Sequence, residues 1–429
     1  LRLAHAGGGN KQRPGGQQGP QAASAAATGL SRTCLLRDLV HLNGEWFFVE
    51  EERGGDDGGA AQRAQSWGPW GPLLFASTSS TRSPYRFAPT PITPGELAGL
   101  CEPRPSARVP GATALLARYQ HDVLGHALHD GVVPLMWALD AHRLLPEGKK
   151  NNSALNVVLV DHAETSPFDQ WYRLVSPTRP PFYAYQFPHL LCPAGSCCIF
   201  DQVLTGFEGM GFKWPSETTN EDLTLRLPVY QKFRDLVSDL HQNGLLSAGG
   251  DETLESSAVF SDHPASKVFK VAIIQRSNYR KIKNISRLQK KFENTCPFCE
   301  IKIVYLEELS FSQQVLLFAG SGGADVVVAV EGTALDQLLY ARPGTGVLAI
   351  SRDTGLEQPY GGEIAFVHER YFELWGEWLS IETLLVVPGS EYILDLEVAD
   401  YKFRVLLAKA LGQEVFSSSL SRTITFDEL

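Results

Sequence analysis

Cationic side chains follow one predicted strand of this chain, and a turn of small residues follows another. Residues Phe269–Gln275 form an apolar run typical of a buried strand, and Arg276 and Arg280 come shortly after it. A second apolar run, over residues 324–330, continues into Glu331-Gly332-Thr333-Ala334-Leu335. Guanidinium groups bind phosphate oxygens bidentately and keep their charge, and open parallel sheets bind ligands at the carboxyl ends of their strands. The pattern predicts a pocket for a phosphorylated ligand.

Three further positions complete this predicted pocket. The backbone N–H groups of Gly332 and Thr333 are expected to open a helix, and helix starts attract anions. Asn284 is expected either to cap the next helix or to bind a ribose. The alternative interpretations are surface arginines at a strand end and, over residues Arg280–Lys291, a solvated basic helix face.

A second group of polar residues lies in the first half of the chain. His126, His129 and Asp130 fall within five residues. On a helix the two histidines share a face, and Asp130 lies one turn after His126. A histidine oriented by a carboxylate can act as a general base. The alternatives are a polar helix face rich in histidine and a metal site, for which the sequence shows no third ligand on another element.

The elements that must position these residues alternate regularly in the second half. We predict strands and helices in the order strand 269–275, helix 284–294, strand 301–305, helix 310–319, strand 324–330, helix 333–341 and strand 346–351. This alternation predicts a parallel sheet with right-handed crossovers. Later helices are predicted over 371–379 and 398–412, and the last is expected to cross back to the first domain.

The first half is less regular. We predict a strand within 39–49, a proline-rich connection over 84–110, a helix over 115–140 and a buried parallel strand over 155–160. A short apolar run follows over 197–204, and an amphipathic helix over 227–240 is placed just after the domain boundary. The expected domains are a disordered segment 1–30, a domain 31–225, a second domain 226–389 and a C-terminal helix and tail 390–429.

Length, charge and apolar content limit the classes of protein to which this chain can belong. The chain has 429 residues, 43% of them hydrophobic, which is enough for one large core or two ordinary cores. Its formal charge of −10 argues against a nucleic-acid partner. No apolar stretch is long enough to span a membrane. Because the chain begins with Leu1, we expect a fragment, and a signal or membrane anchor could precede it.

Several short signals concern the compartment. Cys296 and Cys299 form a lone Cys-x-x-Cys among seven cysteines, so a structural disulfide, buried thiols or a redox pair are open, whereas a zinc knuckle is disfavoured. Sequons at Asn151 and Asn284 are candidate glycosylation sites. The ending Phe426-Asp427-Glu428-Leu429 is similar to an endoplasmic-reticulum retrieval signal and predicts residence in the lumen of the endoplasmic reticulum or Golgi.

Four blocks in order along the chain resemble glycosyltransferase family 61, most of all its protein O-mannose β-1,4-N-acetylglucosaminyltransferase branch. Other members of the family are plant β-1,2-xylosyltransferases and extracellular O-GlcNAc transferases. The blocks are Cys34-Leu-Leu-Arg-Asp-Leu, His126-Ala-Leu-His-Asp-Gly-Val-Val-Pro-Leu, Cys198-Ile-Phe-Asp-Gln-Val-Leu-Thr-Gly and the segment from Arg276 through Arg280-Lys-Ile-Lys-Asn284.

The resemblance implies an α/β chain with two Rossmann-like domains of GT-B type facing across a cleft. It implies an inverting, metal-independent transferase without cofactor, with UDP-GlcNAc or UDP-xylose as donor and a glycan or glycoprotein as acceptor. The base is then expected among His126, His129 and Asp130. The residues expected at the nucleotide sugar are Arg276, Arg280, Asn284, Glu331, Gly332, Thr333 and Leu335.

Two positions depart from the family pattern. Glu331 stands where the family has histidine, and Ala349 stands where it has glutamate next to the nucleotide. A carboxylate about 4 Å from a diphosphate charge would cost about 4 kcal/mol at an effective dielectric near 20. A non-catalytic glycan- or nucleotide-binding protein on the same fold is therefore the second hypothesis. An α/β hydrolase is disfavoured, because the chain has no Gly-x-Ser-x-Gly elbow.

Overall fold

The chain folds into two units. The computed structural model describes residues 4–5, 34–43, 45–49, 73–74, 86–87, 89–118, 123–145, 155–161, 164–176, 179–186, 190–206, 220–242, 259–260, 268–278, 280–332, 334–352, 372, 374–387 and 389–412. The units are Leu1–Leu254 and Glu255–Leu429. Helix Asn220–Gln242 belongs to the first unit and packs on helix Val133–Ala141. The division therefore follows this helix, whereas the sequence analysis placed the boundary before it.

The first unit is built on a mixed sheet. Its strands are β1 (Ala4–His5), β2 (Cys34–Leu42), β3 (Glu45–Val49), β4 (Leu73–Leu74), β5 (Arg86–Phe87), β6 (Thr90–Ile92), β7 (Ser106–Leu116), β8 (Asn156–Leu159), β9 (Phe182–Tyr183) and β10 (Cys197–Thr205). The sheet order is β6-β3-β2-β10-β7-β8-β9, with β1 beside β2, and β4 and β5 form a separate pair. Strands β10, β7, β8 and β9 are parallel, and β2 is antiparallel to β10.

Strand β7 corrects the sequence analysis, which placed a connection and the start of a helix at these residues. The end of β7, Ala-Thr-Ala-Leu-Leu over 112–116, is buried throughout. A short apolar run buried on both faces has no period of two, so it resembles a buried helix segment. The helical stretch begins later, and its three parts are Leu124–His126, the π-helix Ala127–Val132 and Val133–Ala141.

Two more helices and a 3₁₀ turn complete the described part of the first unit. Helix Pro94–Cys101 begins with a capping box in which Thr93 and Glu96 bond to each other's backbone N–H. Helix Asn220–Gln242 buries Val229, Phe233 and Val237, which recur at helical spacing. The 3₁₀ helix Asp169–Leu174 packs against the π-helix.

The second unit has the predicted parallel α/β organisation. Its strands are β11 (Phe269–Gln275), β12 (Lys281–Ile282), β13 (Cys299–Tyr305), β14 (Val326–Val330), β15 (Gly346–Arg352), β16 (Ser380–Val386) and β17 (Glu391–Tyr392). The helices are Ile285–Thr295, Phe311–Ala319 and Leu396–Ala410, with 3₁₀ helices Leu306–Glu308 and Leu335–Tyr340. Five parallel strands lie in the order β13-β11-β14-β15-β16, and β12 pairs with β17. The α/β class is confirmed.

The last helix corrects a second expectation. Helix Leu396–Ala410 is capped by Asp395 and packs within the second unit, against β15, β16 and helix Ile285–Thr295. Its Phe403 stacks on Phe292 with ring centroids 4.1 Å apart. The expected return to the first domain is wrong, because the apolar face of this helix is used in its own unit. The sequence analysis also missed the edge strand β16.

Three disulfides are formed among the described residues. They join Cys101 to Cys197, Cys192 to Cys198 and Cys296 to Cys299. The first two fasten β10 to neighbouring segments of the first unit. The third connects the end of helix Ile285–Thr295 to the start of β13. The Cys-x-x-Cys pair is therefore a disulfide in this structure.

A buried histidine makes the stability of the fold depend on pH. His41 on β2 is 6% exposed and packs on Trp46. Burial lowers the pKa of its imidazole from 6.5 to about 4. The unfolded chain takes up this proton near pH 6.5 and the folded chain only near pH 4. The folded state is therefore not penalised by His41 above pH 6.5. It loses stability relative to the unfolded chain as the pH falls from 6.5 to about 4.

We expect the free energy of unfolding to fall by about 3 kcal/mol between neutral pH and pH 4 on account of His41. Denaturation by urea across this range measures it. His41→Phe keeps an aromatic ring and removes the titration, so its pH dependence should be smaller by this amount. The same slope in both proteins would contradict the assignment.

Candidate functional site

Two arginines and a glycine meet at the carboxyl ends of β11 and β14. These strands are neighbours, and β13 lies on the other side of β11, so the chain changes direction across the sheet at this point. A Cβ atom at Gly332 would lie 2.7 Å from Arg276 Nη1 and 3.3 Å from Arg280 Nη1. Both guanidiniums therefore approach the backbone of Gly332, whose φ of 135° also favours glycine. We call Arg276, Arg280 and Gly332 the arginine corner.

The loop that carries the arginines is held in place. Arg280 is 8% exposed, its Nη1 donates to the Glu331 carbonyl at 3.0 Å, and its backbone has φ +58°. The Gln275 side chain accepts from the Ile282 N–H and donates to the Ile282 carbonyl, both at 3.1 Å. Left-handed backbone outside glycine is strained and often occurs at functional sites. Hydrogen bonds and burial thus fix the loop of the arginine corner.

Acidic groups also adjoin this corner. Glu331 directly precedes Gly332 and is fully buried. Glu307 follows β13 and accepts from the Ser277 N–H at 2.9 Å. Burial raises the pKa of Glu307, but hydrogen bonding to Ser277 and the charge of Arg276 outweigh it and leave the pKa lowered. Glu307 is therefore ionised at neutral pH, and the sequence analysis missed it although it follows a parallel strand.

Other predicted residues do not join the arginine corner. Asn284 does not cap its helix. Instead its side chain donates to the Leu394 carbonyl at 2.8 Å and accepts from the Leu394 N–H at 3.0 Å. The helix-cap expectation is therefore wrong, and the side chain joins its helix to the segment at Leu394. A ribose contact and glycosylation at Asn284 stay predictions.

The segment after β14 also differs from expectation. Leu335 is fully buried in the core, and the predicted helix over 333–341 is the 3₁₀ helix Leu335–Tyr340. Thr333 lies outside the described residues. Ala349 is fully buried within β15, opposite Ala329, and does not follow the strand. Ala349 thus lies in the buried middle of the strand and not at its carboxyl end. Val330 pairs with Ile350, so Ser351 lies across from Glu331 at the strand ends.

In the first unit, His126 and Asp130 form a short contact. Nδ1 of His126 lies 2.6 Å from Oδ2 of Asp130. The Asp130 side chain is 4% exposed, whereas that of His126 is 35% exposed. The predicted pairing is therefore present, with the carboxylate buried behind an imidazole that reaches solvent. Asp130 lies in the π-helix Ala127–Val132, and short π-helical turns within helices are frequent at functional sites.

His129 has different surroundings from His126. It is 4% exposed, its Nδ1 lies 3.1 Å from the Tyr230 hydroxyl, and its ring meets the Tyr230 ring edge-on. Tyr230 comes from helix Asn220–Gln242. His129 thus contributes to the attachment of that helix, whereas the imidazole of His126 reaches solvent.

Gly131 allows the π-helix to approach the 3₁₀ helix Asp169–Leu174. A Cβ at Gly131 would overlap the hydroxyl of Tyr172, which is itself buried. We therefore expect Gly131→Ala to destabilise the protein by about 1–3 kcal/mol. Chemical denaturation measures the change. The double variant with Tyr172→Phe removes the obstructing hydroxyl and should recover most of the loss. If it recovers none, the clash is not the cause.

A buried ion-pair network lies at the carboxyl ends of three adjacent strands. Arg118 follows β7, Asp161 follows β8, and Tyr183 ends β9. Arg118 donates to Asp161 at 2.7 Å and to both oxygens of Asp169 at 2.8 Å, and the Tyr183 hydroxyl donates to Asp169 at 2.9 Å. The charged side chains are at most 6% exposed. Sequence analysis missed this network, since its members are far apart along the chain.

The network adjoins the His126–Asp130 pair. Tyr172, which touches Gly131, belongs to the same 3₁₀ helix as Asp169. Burial raises the pKa of Tyr172, and the charges of Asp169, Asp161 and Asp130 raise it further while Arg118 lowers it. Polar side chains thus converge on the carboxyl edge of this sheet, as they do at the arginine corner of the second unit.

Comparison with known families now places both groups of residues. The family model Glycosyltransferase 61 matches residues 124–348, which is more than half of the chain. The chain belongs to glycosyltransferase family 61. The matched region contains the His126–Asp130 pair and the whole arginine corner. Membership supports a glycosyltransferase activity and, in general, a nucleotide-sugar donor with a glycan acceptor.

Two further comparisons add little to the family assignment. No curated protein is significantly similar in sequence. Among solved structures, oxidised flavodoxin 1 from Bacillus cereus aligns with a TM-score of 0.22 at 14% identity, covering 34% of this chain and 99% of the flavodoxin. A TM-score this low does not establish a shared fold. Within the described part of this family 61 chain, no helix is long and apolar enough to cross a membrane.

Proposed function

We propose that this family 61 protein transfers GlcNAc or xylose from a UDP-sugar to a hydroxyl of a glycan or glycoprotein in the secretory lumen, with inversion and without a metal ion. The observation that carries the proposal is the arginine corner. Two guanidiniums meet against a glycine backbone at the carboxyl ends of neighbouring parallel strands. This is where open α/β sheets bind phosphorylated ligands.

In the proposed reaction, Arg276 and Arg280 bind the diphosphate and stabilise the negative charge that develops on it as the sugar leaves. Nε2 of His126 takes the proton of the acceptor hydroxyl, while Asp130 holds Nδ1. The acceptor oxygen attacks the anomeric carbon from the side opposite the diphosphate. The bond from that carbon to the phosphate oxygen breaks, and UDP leaves with the electron pair.

The proposal includes a GT-B arrangement of two Rossmann-like domains. Each unit supports its own part of this proposal. In the second unit, the sheet order is β13-β11-β14-β15-β16. If these five strands are numbered along the chain, the order is 2-1-3-4-5, which is a doubly wound order. In the first unit, β9-β8-β7-β10 follows the order of a Rossmann half-sheet.

A lumenal location is supported by the three disulfides, because such bonds persist in oxidising compartments. Asn151 lies outside the described residues, and its glycosylation stays a prediction. The retrieval-like segment over 426–429 lies outside them as well. Residence in the endoplasmic reticulum or Golgi is therefore part of the proposal.

The second candidate is a protein that binds the nucleotide or glycan without transferring sugar. It is favoured by one observation: buried Glu331 precedes Gly332 in the arginine corner, where an acid disfavours a diphosphate. Incubation of the protein with a UDP-sugar and no acceptor separates the two candidates. A transferase should hydrolyse the donor slowly, whereas a pure binding protein releases no UDP.

Thermal stabilisation by UDP, UDP-GlcNAc, UDP-xylose and GDP-mannose, with EDTA present, tests the proposal. A ligand at a hundredfold excess over its Kd stabilises the folded state by about 2.7 kcal/mol. We expect both UDP-sugars or one of them to raise the melting temperature and GDP-mannose to leave it unchanged. If none of the four nucleotides raises the melting temperature, the proposed donor site is contradicted.

A further inference from the structure

Two tyrosines stack at the carboxyl end of β9, in the first unit. The rings of Tyr183 and Tyr185 have centroids 5.6 Å apart and an interplanar angle of 10°. Tyr185 is 58% exposed, so the face of its ring that is not stacked on Tyr183 is open to a ligand. We call these two rings the tyrosine platform.

The buried network described above holds this platform rigid. The Tyr183 hydroxyl donates to Asp169, and the Arg118 guanidinium carbon lies 5.6 Å from the Tyr183 ring centroid. The turn that carries Tyr185 is closed by the Gln186 N–H bonding to the Tyr183 carbonyl at 2.8 Å, and by the Tyr183 N–H bonding to the Gln186 side chain. A surface tyrosine with no binding role would not need such support, whereas a binding site benefits from rigid supporting contacts.

The platform is linked to the His126–Asp130 pair by a short series of contacts. Asp169 binds Tyr183 and begins the 3₁₀ helix that carries Tyr172, and Tyr172 touches Gly131, next to Asp130. The exposed ring of Tyr185, the half-buried ring of Tyr183 and the half-buried imidazole of His126 therefore belong to one packed assembly.

We propose that the tyrosine platform binds the acceptor sugar, as a neutral pyranoside whose C–H face stacks on Tyr185. This inference rests on the proposed function, for which it names an acceptor subsite. An aromatic face carries partial negative charge and attracts C–H groups. The network behind it has the two carboxylates of Asp161 and Asp169 against the single guanidinium of Arg118, so it disfavours acidic sugars.

Saturation-transfer NMR tests the platform without any donor. The probes are methyl α-mannoside, methyl β-N-acetylglucosaminide and methyl β-xyloside, with methyl β-glucuronide as the acidic counterpart. We expect saturation of the protein to reach the C–H protons on one face of at least one neutral probe, and to reach the glucuronide less. Tyr185→Ala should abolish this NMR signal, and Tyr185→Trp should retain it. An absent signal for all three neutral probes, or an unchanged signal in Tyr185→Ala, would overturn the proposal.

The same variants separate this inference from the proposed function. Tyr185→Ala should raise the acceptor KM by about tenfold, the value of one stacking contact. It should leave stabilisation by UDP unchanged. If the acceptor KM also stays unchanged, the platform is not the acceptor subsite, although the transferase proposal stands. If the wild-type protein transfers no sugar yet its binding to a pyranoside depends on Tyr185, the platform stands and the transferase proposal fails.

Discussion

Arg276→Ala should weaken UDP binding by about 10- to 150-fold, because a hydrogen bond to a charged group contributes about 1.5–3 kcal/mol. Arg276 is the better arginine to replace. Arg280 is buried, has a left-handed backbone and donates to the Glu331 carbonyl, so its loss would also disturb the loop. Isothermal titration calorimetry of wild type and variant with UDP measures the change.

Lys283→Ala provides the matched control. Lys283 lies in the same loop but pairs with Glu391 at 2.8 Å, and its side chain is 54% exposed. Lys283→Ala removes one positive charge outside the arginine corner. We expect it to change the Kd for UDP by less than about threefold, because surface charges are well screened. Equal weakening by Arg276→Ala and Lys283→Ala would mean that UDP responds to general charge and not to the corner.

Gly332→Ala tests the same corner without altering charge. The new Cβ would lie 2.7 Å from Arg276 Nη1, and the φ of 135° disfavours any side chain. UDP binding should weaken by about tenfold or more, because the guanidiniums must move away from the backbone. Binding that matches the wild type would show that the approach of Arg276 to Gly332 is not needed.

His126→Ala should lower kcat by about 10²- to 10⁴-fold, the range typical of a general base. The Kd for UDP should stay unchanged, since the proposed contacts to UDP are those of Arg276 and Arg280. Asp130→Asn keeps the shape but removes the carboxylate that holds Nδ1 at 2.6 Å, so it should also reduce kcat. Because the two residues act together, the double variant should be little worse than His126→Ala.

His241→Ala is the control for this prediction, because this histidine lies in the last turn of helix Asn220–Gln242 and contributes nothing to the pair. It should retain near wild-type kcat. The sequence analysis left the base open among His126, His129 and Asp130. The structure favours His126, since His129 is 4% exposed and contacts Tyr230. A larger loss of kcat in His129→Phe than in His126→Ala, with folding intact, would reverse that choice.

Much of the second unit could be predicted from sequence, because most of its strands are continuous apolar runs and two of its helices begin with a side-chain cap. Ser310, for example, begins helix Phe311–Ala319 with a capping box. The juxtaposition of Arg276 and Arg280 with Gly332 followed from the rule that the ends of parallel strands share an edge. The roles of these residues as a nucleotide site remain predictions.

The first unit resisted prediction for physical reasons. Strand β7 is buried on both faces near its end, so its apolar run carries no strand period. The Arg118, Asp161 and Asp169 network joins the ends of β7 and β8 to the 3₁₀ helix Asp169–Leu174, and no local sequence pattern marks it. Asn284 looked like a cap or ligand group, yet its partner Leu394 lies more than a hundred residues away.

The decisive measurement is the release of UDP from UDP-GlcNAc and UDP-xylose by the purified protein, with EDTA and a mannosyl acceptor or a chitobiose acceptor. We predict release from at least one donor, accelerated by the acceptor and reduced at least tenfold in both Arg276→Ala and His126→Ala. No release above buffer from either donor, despite UDP binding that needs Arg276, would contradict a transferase and identify a nucleotide-binding protein.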